Sequence, residues 1–476
     1  MEQLSALDAS FLYVETPTIN MNVNAIAIFD PSTAPEPLTF ERFRDLLASR
    51  IHLAPTFRRR IVRVPLDMDR PYWADDPDFD IDYHVRHIAV PPPGSQEKLW
   101  SMFGRIIGRP LDRERPLWEL YFVEGLGDIP GLPPGCVAWI TRIHHSMIDG
   151  VSGMDLLAAL LDLAPDPGPV RPPEEPWAPE PIPGELEMLA RATGARITGP
   201  FKGLDQIPRL LGSVANYGKF LGKRILTLEP PKALFRGPKT RLNGAITAAR
   251  RFAAATLSLD DVKAVKKTLD GATVNDVLLT VCAGALRRYL DEKGELPEDS
   301  LVALTPISVR AADQHGAMGN QISSMLCPLA TDKTDPIERL GVIHANMQEA
   351  KEAHGAIGAG LLMDATRFIP SSTLALAARL YSRTKVADVA RPFFNVVISN
   401  VPGPQFPMYA GGAEMKAMLP SGPIVDGLGL FIGLISYCGK VHVGLTACRE
   451  IVPDIEHLAD LVTASMEELL AAAVGG

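Results

Sequence analysis

The stretch CVAWITRIHHSMIDG, residues 136–150, decides the fold, and VSGMDLLAALLDL follows it over residues 151–163. Its first ten residues alternate in the manner of a β-strand, and the later stretch has the apolar spacing of a helix. Ser152 and Asp155 stand three residues apart before the apolar run, which is the signature of a capping box. The sequence therefore predicts a strand, a tight turn that carries two histidines, and a helix.

The two adjacent histidines of this turn cannot readily share one site. Successive side chains of a strand point to opposite faces, so His145 lies on the face of Trp139 and Ile143, and His144 lies on the other. An imidazole at a sheet edge has a pKa near 6.5 and can act as a general base at neutral pH. Asp149 is placed to hold the turn in shape.

Three other interpretations of the turn are open at this point. A metal site is a weaker interpretation than a general base, because H-x-x-x-D supplies two ligands and no convincing third ligand lies nearby in sequence. The residues could also be polar turn residues with capping duties. A nucleophile-elbow hydrolase is disfavoured because the chain contains no G-x-S-x-G.

Length, charge and cysteine content narrow the class of protein. The chain has 476 residues, which predicts two to four packing units at roughly 100 to 200 residues each. Its 47 basic and 56 acidic residues give a net charge of -9, which excludes a protein that binds nucleic acid through its whole surface. Five cysteines without a C-x-x-C pair argue against a disulfide framework and favour a reducing compartment.

The chain shows no pattern of export or of a membrane span. Residues 1–8 carry acids and lack the apolar core of a signal peptide. The longest apolar stretch, GLGLFIGLISYC over residues 427–438, is shorter than the roughly 18 to 20 residues that a span requires. We therefore expect a cytoplasmic protein that is soluble or attached to a membrane peripherally.

A proline-rich stretch, residues 165–184, divides the chain, because proline recurs there too often for a helix or a central strand. Strand-like and helix-like segments alternate on both sides of it. The sequence predicts an α/β fold with one half over residues 1–164, a crossover with a helical segment over 165–242, and a second half over 243–476.

Residues 201–241 depart in charge from the rest of the chain, with nine basic residues against Asp205 and Glu229. Apolar residues recur there at intervals of three and four, which is typical of an amphipathic helix. Lys219, Lys223 and Arg224 lie close enough in sequence to reach anionic headgroups. The segment is predicted to dock on a membrane, to pack on the protein's own core, or to serve the phosphates of a ligand.

Five motifs, in order along nearly the whole chain, resemble the bacterial wax ester synthase/diacylglycerol acyltransferases, a branch of the CoA-dependent acyltransferase superfamily. HHSMIDG matches that superfamily's H-H-x-x-x-D-G pattern. The further matches are LSALDASFLYVET (4–16), PLWELYFVEGL (116–126), Asn275 with Asp276, and SNVPGP (399–404). The resemblance implies two chloramphenicol-acetyltransferase-like halves with mixed sheets flanked by helices and an active-site channel at their interface.

The resemblance also implies roles for individual residues. His145 is the general base, His144 supports it, and Asp149 organises the turn through an arginine of the other half, for which Arg310 is the candidate. Gly150 keeps space beside the base. Other candidates for substrate contact each have a second interpretation as core, cap or turn residues, and these are Trp118, Asn275, Asp276, Ser399 and Asn400.

The implied activity is transfer of a long-chain acyl group from acyl-CoA to diacylglycerol or a fatty alcohol. Acyl-CoA is then a substrate, and neither a metal nor another cofactor is expected. The expected partners are the two substrates and a membrane or lipid-droplet surface, without nucleic acid. The alternatives are a condensation-type acyltransferase that takes its acyl group from a carrier protein and a catalytically silent lipid-binding protein.

Overall fold

The computed structural model describes residues 1–127, 129–147, 160–166, 168, 170–173, 175–193, 237–308, 322–357, 380 and 382–475. The strands within these residues are β1 (Glu2–Gln3), β2 (Asn22–Asp30), β3 (Arg59–Val62), β4 (Tyr72–Asp75), β5 (Val85–Ala89), β6 (Trp118–Glu124), β7 (Val137–His144), β8 (Arg250–Ser258), β9 (Val302–Ser308), β10 (Ile322–Pro328), β11 (Val396–Val401), β12 (Tyr409–Ala410), β13 (Ala413–Ser421), β14 (Leu430–Tyr437) and β15 (Lys440–Cys448).

The α-helices of the described residues pack mainly on the faces of these sheets. They are α1 (Ala6–Val14), α2 (Phe40–Arg50), α3 (Ile81–His84), α4 (Gln96–Ile107), α5 (Leu259–Lys266), α6 (Val274–Glu292), α7 (Pro336–Ile357) and α8 (Ile455–Val474).

Two six-stranded sheets carry the fold. The first has the order β12-β13-β2-β7-β6-β5 and the second the order β10-β9-β11-β14-β15-β8. Each sheet is mixed, since β5 pairs with β6 in parallel and β11 pairs in parallel with both β9 and β14, whereas the other pairs are antiparallel. The predicted α/β class with two halves of mixed sheet is confirmed.

Each sheet buries apolar side chains against helices. In the first half, Phe43 of α2 packs on Trp139 of β7, and Phe103 of α4 lies on the opposite face of the same sheet. In the second half, α5, α6, α7 and α8 cover one face of the sheet, and their apolar residues form a continuous core with those of β14 and β15. Burial of this kind is the main favourable term in folding.

The C-terminal half of the chain contributes a central pairing to the first sheet. β13 belongs to the C-terminal half of the chain, yet it pairs antiparallel with β2 in the first sheet. Pro420 of β13 also packs directly on Gly444 of β15, where an added Cβ would lie 1.8 Å from the Pro420 carbonyl oxygen. The predicted division of the chain stays a prediction, with boundaries at 1–164, 165–242 and 243–476. It does not account for the pairing of β13 with the first sheet.

Several local features agree with the sequence prediction. Asn275 and Asp276, for which a cap role was one interpretation, lie in the first turn of α6, whose N-cap is Thr273. The described residues of 165–184 form neither helix nor strand. Residues 151–159 of the helix predicted after the histidine motif and the segment 201–236 lie outside the described residues. Within the described part of the chain, we find no helix that is both long and apolar enough to cross a membrane.

Candidate active site

The two motif histidines lie at the end of strand β7, with His144 as its last residue and His145 as the next residue of the chain. Trp139 and Ile143 belong to the core on the α2 side, whereas Ala138 and Ile140 belong to the core on the α4 side. His144 follows the second set and is 1% exposed, and His145 is half-buried. The two adjacent histidines therefore differ in exposure, since His144 is buried and His145 is partly exposed.

Helix α1 brings two side chains of the first motif to these histidines. Ser5 caps the helix by accepting the Asp8 backbone N–H at 3.0 Å. Phe11 stacks on the His145 ring with 4.2 Å between ring centroids and 27° between planes. Glu15, the C-cap residue directly after the helix, reaches His144, with 3.3 Å between Glu15 Oε1 and His144 Nε2.

Hydrogen bonds around His144 define its tautomer. The Ser146 backbone N–H donates to His144 Nδ1 at 3.1 Å, and Ser146 Oγ lies 2.6 Å from the same nitrogen. Because Nδ1 accepts, we assign the ring proton to Nε2. His144 Nε2 lies 3.3 Å from Glu15 Oε1, which is close enough for an electrostatic contact with this carboxylate. His144 is therefore buried and held by these contacts.

Glu15 is the centre of a buried polar cluster. Its Oε2 accepts from Arg113 Nη2 at 2.6 Å, and its Oε1 accepts from the Met21 backbone N–H at 2.8 Å. Burial raises the pKa of Glu15, but His144, Arg113 and the Met21 N–H together outweigh it and lower the pKa to about 2. Glu15 therefore carries a full negative charge beside the motif at neutral pH.

The backbone around Met21 places His145 at the seam between the halves. The His145 N–H donates to Met21 O at 2.8 Å. Ile19 and Met21 pack into the apolar core of the second half, and Arg250 of β8 donates to Thr18 O at 2.5 Å. The candidate base thus lies where the first sheet meets the second half of the chain.

The Pro-Leu-Trp motif lies directly beside β7. Leu117 O accepts the His144 backbone N–H at 2.9 Å. Trp118 is 3% exposed, and its indole N–H donates to Phe57 O at 2.8 Å. These contacts support the interpretation of Trp118 as a core aromatic, and a substrate contact by this residue stays a prediction.

The structure brings together two other predicted residues of the second half. Asn400 Nδ2, at the end of β11, donates to Asn275 Oδ1 in the first turn of α6 at 3.2 Å. Asp276 completes a capping box with Thr273 and is 1% exposed, so the capping interpretation holds for Asp276. Ser399 is half-buried on β11 next to Asn400. The carboxamides of Asn275 and Asn400 form one polar pair.

Asp149, Gly150 and Arg310 lie outside the described residues, and their roles stay predictions. The sequence interpretation assigned no role to Phe11, Glu15 or Arg113, which the structure places around the histidines. Two signals could have pointed to Phe11 and Glu15. Both residues lie in LSALDASFLYVET, which matches the family, and they are four residues apart.

The structure was also searched for groups of three or more histidine, cysteine or carboxylate side chains that could hold a metal ion. Within the described ranges no such group is present.

The two mixed six-stranded sheets flanked by helices have the chloramphenicol-acetyltransferase-like α/β fold that the sequence predicted. The chain belongs to the wax ester synthase/diacylglycerol acyltransferase family. It matches the catalytic domain of that family over residues 4–278 and the family's C-terminal domain over 318–470. The protein is therefore an O-acyltransferase of the kind that forms triacylglycerol or wax ester.

Relatives cover almost the full chain. A Mycobacterium tuberculosis protein named as a diacylglycerol O-acyltransferase is 36% identical over 476 residues, which is 99% of this chain and 90% of that protein. A Mycobacterium bovis protein with the same named activity is 35% identical over 474 residues, 98% of this chain and 99% of its own.

Solved structures agree with this family. The wax ester synthase/diacylglycerol acyltransferase from Marinobacter aquaeolei VT8 is 30% identical, with a TM-score of 0.69 and coverage of 100% of both chains. A trichothecene 15-O-acetyltransferase from Fusarium sporotrichioides shares the fold alone, at 14% identity and a TM-score of 0.61 over 99% of this chain and 94% of that one.

Proposed function

We propose that this acyltransferase uses His145 as the general base for direct transfer of a long-chain acyl group from acyl-CoA to diacylglycerol or a fatty alcohol. The observation that supports the proposal is the difference in burial and contacts between the two adjacent histidines. His144 is buried against Glu15 and Ser146, whereas His145 is half-buried against Phe11 at the seam of the two halves.

The proposed step forms one bond and breaks one. His145 takes the proton of the acceptor hydroxyl as its oxygen attacks the thioester carbonyl, the new C–O ester bond forms, and the C–S bond breaks. The sulfur leaves with the electron pair of that bond and receives the proton from His145, so CoA departs as a thiol. General base catalysis contributes about 10²- to 10⁴-fold, and alignment of two bound substrates contributes a further large factor.

The carbonyl oxygen gains negative charge in this step and requires a hydrogen-bond donor. Asn275 and Asn400 offer carboxamide N–H groups, and Ser399 offers a hydroxyl, where the end of β11 meets the first turn of α6. Their position at the first turn of α6 and the end of β11 supports a role in substrate binding. We propose that Asn275, Asn400 and Ser399 contact the substrate. Trp118 is buried in the core of the first half, and a substrate contact by it stays a prediction.

An assay of purified protein tests the proposed function. Acyl-CoA is supplied with either diacylglycerol or hexadecanol, and product is measured for each acceptor. Formation of triacylglycerol or wax ester supports the proposal. Turnover only with a carrier-bound acyl donor indicates the condensation-type alternative, and binding of lipid without product indicates the silent alternative.

Asp149 and Arg310 are proposed to form a pair that holds the histidine turn. Asp149→Asn is expected to lower activity or soluble yield, and Arg310→Met is expected to have the same effect. A double-mutant cycle on transfer rates measures the coupling. Fully additive losses would reject the pair.

We also propose that residues 201–241 attach the protein to an anionic membrane or lipid-droplet surface on the cytoplasmic side. Water-insoluble acceptors make such attachment useful, and each Lys or Arg near the surface contributes about 1 kcal/mol. Arg241 is excluded from this set, because it forms two hydrogen bonds to Glu295 at 2.6 and 2.8 Å. The remaining basic residues support the proposal by their charge and spacing.

Liposome flotation with anionic vesicles tests the attachment. Wild type is expected to float at low salt and to detach at high salt. A variant in which Lys219, Lys223 and Arg224 are all replaced by Glu is expected to float less while it still acylates short soluble alcohols. Equal and salt-independent flotation of both proteins would refute the attachment.

A further inference from the structure

The N-terminal end of α6 carries a histidine–carboxylate pair that the proposed chemistry does not use. His344 Nδ1, on α7, lies 2.8 Å from Asp276 Oδ2. Gln348, one turn further along α7, places its Nε2 2.8 Å from His344 Nε2. An amide nitrogen only donates, so His344 Nε2 accepts and His344 Nδ1–H donates to Asp276.

The Asp276 carboxylate has few other hydrogen-bond donors around it among the described residues. It is 1% exposed, and its Oδ2 also accepts the Thr273 backbone N–H at 2.9 Å. Its Oδ1 is buried and has no hydrogen-bond partner among the residues that the structure describes. Loss of a partner from a buried carboxylate is costly, because the charge is then left without compensation.

The capping box and the carboxamide pair share one helical turn. Thr273 Oγ1 accepts the Asp276 N–H at 3.2 Å, and Asp276 returns the bond to the Thr273 N–H, which fixes the start of α6. Asn275 lies between these two residues and accepts from Asn400 Nδ2. A shift of the Asp276 carboxylate therefore moves the backbone that carries Asn275.

We propose that His344 is a positioning residue for acyl transfer. Through Asp276 it holds the first turn of α6, and this turn keeps Asn275 paired with Asn400 in the orientation that substrate binding requires. The proposal rests on the substrate role proposed for Asn275 and Asn400. It gives a function in the reaction to a histidine outside the H-H-x-x-x-D-G motif.

The variants His344→Ala and His344→Asn test the proposal. The Asn Nδ2 is as many bonds from the backbone as His Nδ1 and can donate to Asp276, whereas Ala cannot. His344→Ala is expected to lower kcat/KM about 10- to 100-fold, as misplacement of a substrate-positioning group does. His344→Asn is expected to recover most of that loss.

The opposite end of the same helix provides a matched control. His457 Nε2 lies 2.6 Å from Glu292 Oε2, and Glu292 is the last residue of α6. This pair is about 24 Å along the helix from Asp276 at 1.5 Å per residue. His457→Ala is expected to keep the wild-type kcat and KM. Melting temperatures of all variants are measured, so that kinetics are compared below the onset of unfolding.

The double variant of Asn275→Ala and His344→Ala separates positioning from general stability. If His344 acts through Asn275, the double variant loses no more activity than Asn275→Ala alone. Multiplicative losses, or wild-type kinetics for His344→Ala, would overturn the inference. Wild-type kinetics for Asn275→Ala would instead refute the proposed substrate role, and the inference would fail with it.

Discussion

Replacement of His145 by Ala is expected to lower kcat for acyl transfer by about 10²- to 10⁴-fold, because the base that accepts the hydroxyl proton is removed. The side chain is half-buried and stacks on Phe11, so its loss does not open a cavity in either main core. Steady-state rates with acyl-CoA and hexadecanol measure the effect. Acyl-CoA binding is expected to stay close to that of wild type.

His144→Ala is the matched comparison for this prediction, since both variants remove an imidazole from one motif. His144 is buried and contacts Glu15 and Ser146, so we expect it to retain more activity than His145→Ala and to lose more stability. His145→Gln provides a second test that keeps a polar side chain at the site. If His144→Ala abolished transfer and His145→Ala did not, the assignment of the base would be wrong.

Glu15→Gln is expected to destabilise the fold and to slow transfer. The pKa of Glu15 falls from 4.5 to about 2 on folding, which corresponds to roughly 3 kcal/mol of stability at neutral pH. Because the folded pKa is the lower one, this contribution is complete above about pH 4.5 and is lost as the pH falls toward 2. Denaturant unfolding from pH 7 to pH 3 measures it.

The free-energy difference between wild type and Glu15→Gln is expected to be constant from pH 7 to about pH 5 and to shrink below pH 4.5. Activity is expected to fall by up to about 10²-fold, because Glu15 holds the Met21 backbone that bonds to the His145 N–H. A pH-independent difference in stability would contradict the assigned charge of Glu15.

Glu124→Gln is the control for Glu15→Gln. Glu124 also contacts a histidine in the first sheet, with His87 Nε2 2.8 Å from its Oε2, but both side chains are more than 40% exposed. Exposed pairs of this kind contribute about 0–1 kcal/mol. We therefore expect Glu124→Gln to keep stability and activity near those of wild type.

Sequence pattern was sufficient for the features that depend on contiguous residues. Alternation along residues 136–145 placed His144 and His145 on opposite faces, since period two is a property of any strand. The lack of helix and strand among the described residues of 165–184 was predictable from their proline content, which is also a local property. Five motifs in order were sufficient to identify the family.

The tertiary structure decided which distant residues meet. Glu15 and His144 are separated by 129 positions, and no periodicity relates them, so only the packing of α1 on the first half shows that they pair. Only the tertiary structure likewise shows that Asn275 pairs with Asn400 and that β13 joins the first sheet. Local patterns report which face of an element is apolar, whereas the choice of partner depends on how the buried faces of many elements fit together at once.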